Sequence, residues 1–174
     1  MIAVVDYGVG NLYSLRCSLG KIGAPCEVTR DEAALSRADG IILPGVGAFG
    51  DAMEKLRELK LDGLLQTLAK KGRPMLGICL GMQLLFDGSD EYGPHQGLGL
   101  ISGWVRPLGP DCGGRKVPHM GWNSLHLVRP DDPLAVPLHE GDYVDYGHSF
   151  YACDGEEACV ATSDYGATVP GIVR

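Results

Sequence analysis

Cys79 stands in the run Gly77-Ile78-Cys79-Leu80-Gly81-Met82-Gln83. An apolar stretch, Pro74 to Ile78, precedes it, and a segment of helical character follows, roughly Leu80 to Phe86. A strand that turns at once into a helix lifts its corner residue out of the sheet. It leaves no room for a Cβ two residues away on either side, which is where Gly77 and Gly81 fall. This nucleophile-elbow pattern demands a sheet whose strands run directly into helices. It also puts the thiol at a helix start, where backbone N–H groups and the helix dipole stabilise negative charge on sulfur or on an oxyanion. A buried core cysteine is the plain alternative, because free cysteine is often buried. The paired glycines favour the nucleophile.

The first half of the chain supplies such a sheet. Ile2 to Val5 is a short apolar run that reads as a buried strand, followed by the turn Gly8-Val9-Gly10. Leu12, Leu15, Leu19 and Ile22 then recur at helical spacing. Cys26 to Thr29 and Gly40 to Leu43 read as further strands. A helix from about Asp51 carries Met53, Leu56 and Leu59, and a second carries Leu61, Leu64, Leu65 and Leu68 before Gly72. Alternating strands and helices mean βαβ units and a parallel sheet. In such sheets ligands bind beyond the carboxyl ends of the strands. Asp6-Tyr7-Gly8, Pro44-Gly45-Val46-Gly47 and Cys79 are therefore expected to meet at one rim. From about Gly97 short strand-like runs follow: 98–105, 122–128, 142–151, 158–163 and 167–173. They read as antiparallel strands added to the same domain. The expected class is α/β: a mostly parallel open sheet flanked by helices, with a flavodoxin-like core and added antiparallel strands, in a single domain over 1–174.

The composition is that of a globular protein, 45% hydrophobic and 21% charged. A net charge of −7 argues against nucleic acid or an anionic membrane as the main partner. The start Met1-Ile2-Ala3-Val4 has no basic leader, so a cytoplasmic protein with reduced thiols is expected. The six cysteines form no Cys-x-x-Cys pair and no two histidines have ligand spacing, so neither a metal nor a cofactor is expected.

Pro44-Gly45-Val46-Gly47 allows a backbone N–H to be presented or withdrawn near Cys79, as an oxyanion hole needs. A plain glycine turn explains it equally well. Gly45-x-Gly47-x-x-Gly50 fits a dinucleotide fingerprint, but no acidic residue ends a strand about 20 residues later. Of the five histidines, His126 reads as a solvent-facing strand residue, and His95 and His139 as exposed loop residues. His119, in Pro118-His119-Met120-Gly121-Trp122-Asn123, reads as part of an interaction surface. His148 ends a strand run and is the one tempting base for Cys79.

These segments together resemble the class I glutamine amidotransferases. Asp6-Tyr7-Gly8-Val9-Gly10-Asn11 and Pro118-His119-Met120-Gly121-Trp122-Asn123 narrow the resemblance to the glutaminase subunits of imidazole glycerol phosphate synthase, in histidine biosynthesis. It runs the length of the chain. The resemblance implies that Cys79 attacks the side-chain amide of glutamine, with the N–H groups of Leu80 and Gly47 as oxyanion hole. It implies that Gln83 and Glu91 hold the glutamine, with backbone from His148 and Ser149. It also implies a cyclase partner subunit with a (β/α)8 barrel that takes up the ammonia, met by Asn11, Ser14, Trp122 and Asn123. The family carries its base and orienting carboxylate in a Gly-x-Gln-Phe-His-Pro-Glu-Lys-Ser segment that these 174 residues do not contain. Relative to the family the domain is C-terminally incomplete, and the 174-residue chain is expected to be inactive. A cysteine hydrolase or redox protein of related fold, and a catalytically silent assembly subunit, are the alternatives.

Overall fold

The computed structural model describes all residues from Met1 to Arg174. Its first half is a parallel four-stranded sheet of β1 (Ile2–Val5), β2 (Cys26–Thr29), β3 (Gly40–Leu43) and β4 (Met75–Gly77), in the order β2-β1-β3-β4. Continuous apolar runs make the two central strands, β1 and β3, because both of their faces are covered. On one face Val4 and Ile42 meet Leu19 of α1 (Leu12–Lys21). On the other, Ala3, Val5, Ile41 and Leu43 join the main core. That core takes Phe49, Ala52, Met53 and Leu56 from α3 (Phe49–Glu58), an i, i+3, i+4, i+7 stripe. Leu61, Leu65 and Leu68 enter from α4 (Leu61–Lys70). A short helix α2 (Glu32–Arg37), capped by the Asp31 carboxylate on the Ala34 N–H, buries Leu35 against the same face. The sequence pattern missed α2 because six residues are too few for a repeat.

The expected helix from Leu80 to Phe86 is corrected. The helix α5 spans only Leu80–Gln83, and Phe86–Ser89 forms a strand, β5. Phe86 and Ser89 are fully buried in the sheet built on that strand, and this tertiary burial overrides a weak helical pattern. The remaining strands are β6 (His95–Gln96), β7 (Ile101–Pro107), β8 (His119–Ser124), β9 (His126–Leu127), β10 (Tyr143–His148), β11 (Phe150–Cys153), β12 (Cys159–Asp164) and β13 (Thr168–Val173). They form a four-stranded sheet β11-β7-β5-β6, a pair β10-β8 and a three-stranded sheet β13-β12-β9. All these pairings are antiparallel except β5 with β7.

β4 is an edge strand, and its middle residue Leu76 stays half exposed. A mostly apolar groove of about 600 Å³ separates that edge from the last residues of β13. No helix is long and apolar enough to cross a membrane.

Candidate active site

The three glycine-bearing turns meet as expected at the carboxyl rim of the parallel sheet. Tyr7 Oη donates to the Pro44 carbonyl at 2.7 Å from a buried position. A Cβ on Gly45 would lie 2.6 Å from the Gly81 nitrogen. A Cβ on Gly77 would lie 2.5 Å from the Gly81 oxygen and from the Met82 Cα, and one on Gly81 would run into the Leu43 carbonyl. Backbone packed this closely excludes any side chain at all three positions. At the corner Cys79 takes φ 56° and ψ −121°, a conformation that costs a non-glycine residue about 1–3 kcal/mol. The thiol is free and exposed.

Two cavities, of about 260 and 290 Å³, share Cys79, Gln83, Gly147 and His148 in their walls. The second also carries Val46, Gly47, Leu80, Glu91, Pro118, Met120, Ser149 and Phe150. Residues anticipated from five separate stretches of sequence therefore line one space. Among turn and loop hydrogen bonds, neither the Leu80 nor the Gly47 N–H finds a carbonyl acceptor. Gly47 has φ 94°, which a side chain would strain. Because α5 is a single turn, the donors near sulfur are individual N–H groups rather than the dipole of a long helix.

Glu91 and Gln83 are both engaged by the protein. Glu91 Oε2 accepts from the Phe49 N–H at 2.7 Å. It supplies the first turn of α3 with the acceptor that the N-cap Ala48 cannot provide. Gln83 Nε2 donates to the Phe150 carbonyl at 2.9 Å.

The expectation that His119 belongs to an exposed surface is wrong. Strand β8 alternates: Met120 and Trp122 are 69% and 72% exposed, whereas His119 is 2% exposed. Its ring lies between Tyr146 and Tyr165, with centroids 4.4 and 3.8 Å away and planes tilted 18°. His95 is also not an exposed loop residue. It is half buried in β6 and approaches Gly50 closely enough to exclude a Cβ there. His126 and His139 are exposed, as expected. Asn11 and Ser14 are exposed at the start of α1, where Asn11 Oδ1 accepts from the Ser14 N–H at 3.1 Å. Asn123 is half buried, and its amide donates to the Asp164 carbonyl at 3.0 Å.

His148 is the only histidine in either cavity wall, and both of its ring nitrogens are occupied. Nδ1 is 2.8 Å from the Phe150 carbonyl, which can only accept, so Nδ1 carries the proton. Burial holds this histidine below its ordinary pKa, so the ring is neutral and Nε2 is an acceptor. Nε2 lies 3.0 Å from His119 Nδ1, which donates to it. Asn123 Nδ2 in turn is 3.3 Å from His119 Nε2. Neither nitrogen of His148 is left to take a proton from Cys79. No group of three His, Cys, Asp or Glu is placed to hold a metal ion.

The family model for class I glutamine amidotransferases matches residues 3–174. The chain is 51% identical over 178 aligned residues to the imidazole glycerol phosphate synthase subunit HisH of Bacillus licheniformis, covering 99% of this chain and 82% of that protein. It is 47% identical over 175 residues to the corresponding subunit of Oceanobacillus iheyensis, covering 100% and 85%. A solved structure of a glutamine amidotransferase superposes with a TM-score of 0.75 at 18% identity, covering all of this chain and 85% of that one. At that identity the likeness speaks to the fold alone.

Proposed function

The chain belongs to the class I glutamine amidotransferase family, and on that premise we propose that it is the glutaminase subunit of an imidazole glycerol phosphate synthase. Cys79 sulfur attacks the side-chain carboxamide carbon of glutamine. The C–N bond breaks, ammonia leaves and a glutamyl thioester remains. Water then cleaves the C–S bond, giving glutamate and the free thiol. The Leu80 and Gly47 N–H groups face the developing oxyanion. Gln83, Glu91 and the backbone at His148 and Ser149 hold the substrate. The observation that carries this reading is the strained, exposed Cys79 in a wall that also contains Gly47, Gln83, Glu91 and Ser149. Similarity at about half identity to HisH subunits supports the same reaction.

The ammonia passes to a cyclase partner with a (β/α)8 barrel, which makes imidazole glycerol phosphate and an aminoimidazole carboxamide ribotide. The two form a cytoplasmic heterodimer. Asn11, Ser14, Trp122 and Asn123 belong to that interface, with Met120 beside Trp122. Residues 1–174 form one glutaminase domain. Its proton acceptor comes from a segment of the Gly-x-Gln-Phe-His-Pro-Glu-Lys-Ser type, which these residues lack.

Alkylation of Cys79 by iodoacetamide, followed by mass spectrometry, tests the site. Glutamine is expected to protect the thiol and asparagine to leave it reactive. Equal labelling with and without glutamine overturns the glutaminase reading. With the cyclase present, a chain carrying the base segment is expected to release ammonia and the 174-residue chain none. Turnover by the 174-residue chain that depends on Cys79 would show the base assignment to be wrong.

A further inference from the structure

We infer that His119 is a positioning residue: through a one-directional hydrogen-bond chain it fixes His148 as the Nδ1–H tautomer, and with it the Phe150 carbonyl that Gln83 grips beside Cys79. The inference rests on the glutaminase reading only for what Gln83 binds.

The direction of every link follows from groups that can act in one way. The Ser124 N–H donates to Asn123 Oδ1 at 2.9 Å, so the Asn123 amide nitrogen faces the other way and is donor only. That nitrogen has two hydrogens. One goes to the Asp164 carbonyl at 3.0 Å and one to His119 Nε2 at 3.3 Å. His119 Nε2 is therefore the acceptor and Nδ1 the donor. Nδ1–H meets His148 Nε2 at 3.0 Å, and His148 Nδ1–H meets the Phe150 carbonyl at 2.8 Å. The same carbonyl takes the second hydrogen bond, from Gln83 Nε2 at 2.9 Å. The chain thus runs from the strand that exposes Trp122 to the helix that follows Cys79, with no unpaired member.

The fold holds this chain firmly. His119 and His148 lie directly opposite each other in the β8–β10 register. The aromatic faces of Tyr146 and Tyr165 clamp the His119 ring. Tyr146 is itself tied by its hydroxyl to Ser163 at 2.9 Å, and Tyr165 to the Lys116 carbonyl at 2.8 Å. A ring held on both faces can offer its nitrogens in only one plane. Two groups hold His148 in the Nδ1–H form: the Phe150 carbonyl accepts from Nδ1, and the Nδ1–H of His119 keeps a proton off Nε2. Without His119 only the first remains and the Nε2–H form becomes accessible.

The test uses two variants. His119→Phe keeps the stacked ring and removes both nitrogens. His119→Asn places an amide N–H near the site of Nδ1. In nitrogen NMR of the 174-residue chain, His148 is expected to show Nδ1–H alone. It should become a tautomer mixture in His119→Phe and return to Nδ1–H in His119→Asn. A diazoketone analogue of glutamine is expected to label Cys79 with about tenfold weaker saturation in His119→Phe, as for one lost buried hydrogen bond, and an unchanged maximal rate. A His148 found as Nε2–H in the parent chain overturns the inference, and so does an unaltered tautomer in His119→Phe. Failure of the analogue to label the parent chain saturably counts against the glutaminase reading, while the tautomer result still decides the inference.

Discussion

Gly81→Ala isolates the packing that creates the elbow. Intrinsic preference alone would favour the change, since alanine in a helix is better than glycine by about 1 kcal/mol. Sterics oppose it. The added methyl would run into the Leu43 carbonyl oxygen, with the Leu43 carbonyl carbon at 2.8 Å and the Pro44 carbonyl carbon at 3.0 Å. All three are backbone atoms of the adjoining strand and turn, so no side chain can rotate away. Overpacking typically costs about 1–3 kcal/mol, and a backbone obstacle puts this case at about 3 kcal/mol net. With a urea slope of about 2 kcal/mol/M, the unfolding midpoint should fall by about 1.5 M. Gly63→Ala is the control. Gly63 lies in α4, is exposed, and a Cβ there meets nothing within 4 Å. Its midpoint should rise by about 0.4 M, from about 0.8 kcal/mol of helix preference. Urea titrations of both variants by circular dichroism measure the two shifts. A Gly81→Ala midpoint equal to or above that of the parent would refute the argument that close backbone contact, not local conformation, requires glycine here.

Cys79→Gly should raise stability by about 1–2 kcal/mol, because φ 56° is free of strain for glycine. In a chain that carries the base segment, with the cyclase present, it should also abolish ammonia release, so thermal unfolding and an ammonia assay should move in opposite directions. Trp122→Ala should weaken association with the cyclase by at least tenfold, in the manner of an exposed aromatic anchor, while changing the unfolding free energy by no more than about 0.5 kcal/mol; titration calorimetry reads the first and a urea titration the second. Burial is the largest cause holding both His119 and His148 below their ordinary pKa of 6.5. The unfolded chain therefore binds more protons below that value. Stability from the pair is complete above pH 6.5 and declines as pH falls from there toward the folded-state values. In His119→Phe the acid-side decline should be shallower, as read from urea midpoints between about pH 5 and 7.

Much of the corner at Cys79 was legible in the chain. Gly77, Gly81 and the apolar strand before Cys79 sit within eight residues of one another, and a strand-to-helix corner is a local event. The parallel sheet was legible for the same reason, because its apolar central strands β1 and β3 and the helical stripes of α3 and α4 are written in consecutive residues. The end of the helix after Cys79 was not. Leu84, Leu85 and Phe86 fit a helix locally, and the pairing of Phe86 with Ile101 across the second sheet decides for strand.

The histidines show the same division. A motif of six residues drew attention to Pro118–Asn123 but could not tell which side chains face inward. One-residue alternation in β8 sends Met120 and Trp122 outward and His119 inward, and only the register with β10 settles that His119 meets His148 across 29 residues. That meeting occupies Nε2 of the histidine that had looked like the base for Cys79, and the Phe150 carbonyl occupies its Nδ1. The sequence alone determined the glycine corner at Cys79 and the sheet that carries it, because each depends on neighbours along the chain. Which groups surround the thiol, which protons they hold and which face is left to a partner depend on pairings between distant strands, and those only the tertiary structure decided.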